Sequence, residues 1–172
     1  YHYGHVQRLD REHLIPSVHP EEERIADAIR TLESLDIDWP TAMNAGMLLS
    51  SLTHSPHIRQ AIDALGKMLL SYWDFDVRWR MAQALGKIPD SRSADYLISA
   101  LNDRSFYPRD EAAWSLARLG VVGASCLLPR VDAMSISARP FIALALGGSG
   151  VREAEERAVD LLLMDALSGE PK

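Results

Sequence analysis

The stretch Asp76–Gly86, DVRWRMAQALG, returns twice more along the chain, and no other feature of the sequence limits the fold as much. Aligning Arg78 with Arg109 and Arg139 brings Met81 onto Ala112 and Ile142, Ala82 onto Ala113 and Ala143, and Leu85 onto Leu116 and Leu146. The offsets of 31 and 30 residues fall in the range of stacked helical repeats. Within one copy, Val77, Met81, Ala84, Leu85 and Ile88 follow the i, i+4, i+7, i+8, i+11 spacing of a buried helix face. Small residues cluster mid-helix (Ala82 with Ala84, Ala112 with Ala113, Ala143 with Ala145), which lets neighbouring helices approach closely. A helix of about 13 residues cannot hide such a face alone, so it packs on copies of itself. The expected class is all-α, an α-solenoid of about four antiparallel helix pairs.

The rest of the chain falls into place around these copies. Residues 1–20 hold four of the six His and two Pro without sustained periodicity, and read as an extended arm before a repeat domain at 21–172. Glu21–Leu35 reads as a capping helix, with Ile25, Ala28, Ile29, Leu32 and Leu35 in one stripe and the acidic Glu21–Glu23 at its dipole-favoured start. Trp39-Pro40 opens a diverged first copy, whose second helix begins near Ser55-Pro56 and runs to about Leu70. Later second helices are expected at Ser91–Leu101, Gly123–Val131 and Arg152–Leu167, with Pro89-Asp90, Gly120 and Gly147–Gly150 as punctuation. Glu153, Glu155, Glu156 and Asp160 predict a wet outer face for the last helix.

At 172 residues and 47% hydrophobic, the chain can bury a core of one domain. Its apolar runs fall far short of the roughly 18 residues of a membrane span. The single Cys126 excludes an internal disulfide and fits a reducing compartment, so a cytoplasmic protein with no membrane association is expected. Beside Leu127 and Leu128 this thiol reads as a small buried apolar residue. A net charge of −6 argues against binding nucleic-acid phosphates.

The run from Asp76 to Asp90, Asp-Val-Arg-x-x-x-Ala-x-Ala-Leu-Gly-x-Ile-x-Asp, resembles the short HEAT-like repeat first named for phycobilin lyases, and Glu111–Gly120 resembles a second copy. The likeness covers roughly two-thirds of the chain and fades before Leu70. It implies paired antiparallel helices stacked into a solenoid. It implies no single activity, because repeats of this kind occur in lyases, hydroxylases, glycosylase relatives and pure binding scaffolds. The Arg at positions 78, 109 and 139 is implied to bridge neighbouring repeats rather than hold a ligand, a task suited to a planar five-donor fork.

Two surfaces are candidates for a partner. Opposite the core face of the first helices lie Trp79, Arg80, Trp114, Phe141 and Leu144, a row with large apolar groups on a nominally wet side. The alternative for this row is packing between repeats. The second helices offer Gln60, Asp63, Lys67, then Arg92, Asp95, Tyr96, then Arg130, a mixed polar set suited to a protein groove. His54-x-x-His57 lacks a placed carboxylate and makes a poor metal site. No His is followed by Glu, as the HEAT-like iron hydroxylases require, and there is no Gly-rich phosphate loop or Gly-x-Ser-x-Gly elbow. The expected function is therefore a protein–protein interaction scaffold or adaptor, without catalytic residues, metal or cofactor. The alternative implied by the resemblance is a bilin lyase or bilin-detaching protein acting on phycobiliproteins.

Overall fold

A computed structural model describes residues 20–34, 36–52 and 55–168. The arm expected at 1–20 therefore lies outside the described residues except for Pro20, as do Leu35 and His54. Among the described residues there are nine α-helices and no strand: α1 (Pro20–Glu33), α2 (Trp39–Ser50), α3 (Ile58–Ser71), α4 (Phe75–Leu85), α5 (Ser91–Ala100), α6 (Phe106–Arg118), α7 (Val121–Leu127), α8 (Arg139–Gly147) and α9 (Arg152–Ser168).

Local chemistry sets the starts. Asp38, Asp74 and Asp90 sit just before α2, α4 and α5, and each side chain accepts a backbone N–H from the first turn. These are the donors a helix leaves unpaired at its N-terminus. Pro40 sits in the first turn of α2, where its missing N–H costs nothing. The third copy departs from expectation. Its second helix stops at Leu127 and tightens into a 3-10 segment, Leu128–Ala133. Pro129 supplies the reason, since it has no N–H for the α-helical ladder.

Packing then builds two layers. First helices α2, α4, α6 and α8 stack on one another in order, and α1, α3, α5 and α7 do the same behind them, while α9 lies against α8. The predicted stripe of Val77, Met81, Ala84, Leu85 and Ile88 is buried, as are Leu116, Ile142 and Leu146 at the equivalent places. Close approach is real at Gly66. A Cβ there would meet the Tyr96 ring at 2.4 Å, so α3 and α5 touch at a position open only to glycine.

The last helix differs from its sequence reading in one half. Glu153, Glu155, Glu156 and Asp160 are exposed as expected, but so are Val159, Leu162, Leu163, Met164 and Leu167. Only Ala154, Ala158 and Leu161 of α9 are buried, because α8 covers one side and no further helix among the described residues covers the other.

Candidate partner-binding surfaces

The arginines of the repeat lie beneath one edge of the solenoid, where first helices start and second helices end. Arg78 is 2% exposed and makes a bidentate pair with Asp103, at 2.8 and 2.9 Å, while Nη1 donates to the carbonyls of Tyr72 and Trp73. Asp103 belongs to the next turn, so one guanidinium fastens two repeats. Arg109 donates to the carbonyls of Leu101 and Ser137 and lies over the Phe141 ring, 4.4 Å from its centroid. Arg139 reaches Asp165 at 2.9 Å. All three are bound within the protein, to carboxylates or carbonyls.

The row on the first helices is divided. Trp79 is half-buried and its indole N–H donates to Glu111 Oε2 at 3.1 Å, tying α4 to α6. Glu111 also accepts from Arg118 at 2.6 Å, so this carboxylate is largely buried but paired. Arg80 stacks on the Trp79 ring at 4.2 Å and lines a small cleft with Met43 and Met47. Phe141 and Leu144 are half-buried against the core. Of the four large apolar residues in this row, Trp114 alone is open to solvent.

The polar set on the second helices is brought together, but largely onto itself. Lys67 meets Glu33 at 3.6 Å, Arg92 meets Asp63 at 3.1 Å, and Arg130 meets Asp95 at 2.6 Å. The Tyr96 hydroxyl donates to Asp63 at 3.2 Å. Burial first, and then the Asp63 charge, hold this phenol above its ordinary pKa, so it stays a neutral donor. Gln60 Oε1 accepts from His57 Nδ1, one turn away. Cys126, also on this side, is half-buried, and burial raises its thiol pKa and keeps it unreactive.

A third surface is missing from the sequence reading. Trp39, Phe75, Phe106 and Ile136 are exposed, and each follows directly on a cap residue: Asp38, Asp74, Ser105 and Ser135. Phe75, Phe106 and Ile136 each stand three residues before the repeat arginine, and Trp39 is their counterpart in the diverged copy. Side chains in a first helical turn tilt back over the helix start, which places these four groups along the edge. With Trp73 and Tyr107 they form a strip whose members are between 45% and 72% exposed. Its rings touch in sequence: Phe75 with Tyr107 at 5.7 Å, Tyr107 with Phe106 at 5.9 Å, and Phe106 with Phe141 at 5.7 Å. Trp39 joins through its indole N–H, which donates to Asp76 at 2.8 Å. A cleft of about 290 Å³ opens between the ends of α3 and α5, lined by Leu70, Tyr72, Arg78, Ser99, Asn102, Asp103 and Arg104. The signal for this strip, a cap residue followed by Trp, Phe, Phe and Ile in four successive copies, was present in the sequence at positions that a search for the core stripe passes over.

A family model described as HEAT repeats matches residues 18–117 and again 62–132, together well over half of the chain. No curated protein matches the sequence at a significant level.

Proposed function

The chain belongs to the HEAT-repeat family, whose repeats commonly mediate protein–protein interaction, and from that premise we propose that it is a protein-binding module that grips its partner along the aromatic edge. The observation that carries the reading is the recurrence of Trp39, Phe75, Phe106 and Ile136 as exposed apolar groups at one repeat position. An isolated exposed Phe is ordinary; a continuous strip of rings is the composition of an interface core. The strip is also pre-organised. The buried Arg78–Asp103 pair and the Arg104 bond to the Trp73 carbonyl at 2.8 Å fix the turns beneath it, so little ordering is left to offset on binding. The cleft lined by Tyr72 and Arg104 has room for one partner side chain.

The polar face of the second helices supports this reading less well, since Asp63, Arg92, Asp95 and Arg130 already neutralise each other. Peptide-display selection on the full chain tests the choice. Enriched peptides are expected to lose binding to Phe106→Ser and Tyr107→Ser variants while keeping it for Asp95→Asn. Retention on the edge variants and loss on the Asp95 variant would transfer the site to the second helices.

The bilin-lyase alternative calls for an apolar, tetrapyrrole-sized pocket. The clefts among the described residues do not favour it: those of about 500, 350 and 290 Å³ are lined mainly by charged and polar groups, and the one between α2 and α4 is about 100 Å³. A protein-dependent red-shifted absorption band on titration with a linear tetrapyrrole is the result that would restore it.

A further inference from the structure

We propose that the outer side of α9 is a docking face for one further amphipathic helix that carries Lys or Arg beside its apolar stripe. The inference is independent of the aromatic edge. It begins with spacing. Val159, Leu162, Leu163, Ala166 and Leu167 stand at i, i+3, i+4, i+7 and i+8, the pattern of a helix side made to be covered. All five are exposed. Elsewhere in the solenoid most large aliphatic residues of the second helices are buried, as Leu97 and Ile98 of α5 are.

The charge pattern says what kind of helix completes the stack. At every junction along the second-helix side, the earlier segment contributes the carboxylate and the later one the cation. Glu33 of α1 pairs with Lys67 of α3, Asp63 of α3 with Arg92 of α5, Asp95 of α5 with Arg130 beyond α7, and Asp132 with Arg157 of α9. Superposing the buried Ala154, Ala158 and Leu161 on Ala94, Ile98 and Leu101 puts Glu155 in the place of Asp95. Glu155 is exposed, lies on the same side of α9 as Leu162 and Ala166, and forms no ion pair among the described residues. It is the carboxylate half of a junction whose cationic half comes from the occupant. Asp160 adds a second exposed acid at the border of the stripe.

A second copy of this chain fits less well. Its opposite end presents α1, whose exposed residues are polar, Arg24 and Arg30 among Glu21, Glu22, Glu23, Asp27 and Glu33, so a head-to-tail stack would set a mainly acidic side without an apolar stripe against Leu162 and Leu163. Pairing two α9 faces about a twofold axis would leave both Glu155 carboxylates without the cation that each interior junction supplies.

The test is a fluorescence-anisotropy titration of the full chain with two labelled peptides of about 18 residues, long enough for five helical turns. Both carry the same leucine stripe; one has Arg at the flanking positions, the other Glu. Saturable binding of the Arg peptide, at least about tenfold tighter than the Glu peptide, is expected, with the preference reversed in Glu155→Arg and binding abolished in Leu163→Glu. Leu163 is exposed, so its variant is expected to melt with the wild type, which separates lost docking from lost folding. Equal binding of the two peptides, binding that survives Leu163→Glu, or no binding at all overturns the proposal. So does a dimer in sedimentation equilibrium that Leu163→Glu dissociates, since the occupant is then a second copy.

Discussion

The face made by the second helices and the edge made by the starts of the first helices come from the same repeat, yet their chemistry is opposite. On the face, Asp63, Arg92, Asp95 and Arg130 pair across repeats. On the edge, Phe75, Phe106 and Tyr107 touch one another and still leave about half or more of their surface in water. Stacking explains the difference. Translation by one repeat brings a carboxylate of one helix beside a cation of the next, so lateral pairing can satisfy charges completely. Rings aligned along an edge meet sideways only, and their outer surfaces remain uncovered. A row of charges on a solenoid can therefore be its own fastening, whereas a recurring row of exposed rings is left for something else to cover.

The fastening under the edge is where that contrast breaks with the largest effect. Arg78→Ala leaves Asp103, 7% exposed, as a buried carboxylate without its partner, and a loss of about 3–5 kcal/mol is expected in a denaturant melt. An unchanged midpoint would mean that the guanidinium is not structural. Arg109→Ala is expected to cost about 1–3 kcal/mol, since its partners are carbonyls and a ring rather than a buried acid. Arg139→Ala removes one partly exposed pair with Asp165 and is expected to cost about 1 kcal/mol or less. A reversed order among the three would show that burial does not grade this ladder.

The face sharpens the comparison at smaller scale. Asp95→Ala releases Arg130 from a pair in which both side chains are about half exposed, and about 0.2–1 kcal/mol is expected, shrinking in high salt. A larger cost that is insensitive to salt would argue that the second-helix pairs are more than a screened surface ladder.

The repeat itself was legible because its residues do the same job in each copy. Arg78, Leu85, Leu116 and Leu146 are bound to recur if successive helices are to bury against each other. The exposure of the tryptophans was not legible. Trp79 and Trp114 are both outward by helical spacing, but the structure gives Trp79 a largely buried Glu111 to bond and Trp114 no such partner among the described residues. That choice depends on which residue stands 32 positions away, which periodicity within one helix does not report. The uncovered stripe of α9 escaped for a related reason. Val159, Leu162, Leu163 and Leu167 have the spacing of a buried side, and only the packing of α9 against α8 reveals that no helix among the described residues lies over them. Pro129 was readable in principle, since a proline within an expected helix marks the tightening into the 3-10 segment.

The smallest expected effect on stability is the most informative for function. Phe106 and Tyr107 are about 60% exposed, and their contacts within the described residues are mainly with neighbouring rings of the strip. Tyr107→Ser is therefore expected to shift stability by about 0.5 kcal/mol or less, as surface substitutions do. In a binding surface the same ring is an anchor, and losing it is expected to weaken a selected peptide by about 2 kcal/mol, near thirtyfold in Kd. The two readouts move independently only if the ring serves a partner. A variant that melts early and binds normally would assign the strip to packing, and would make the edge a second fastening like the face. Wild-type melting with lost peptide binding keeps the two surfaces distinct, one closed on itself and the other open to a partner.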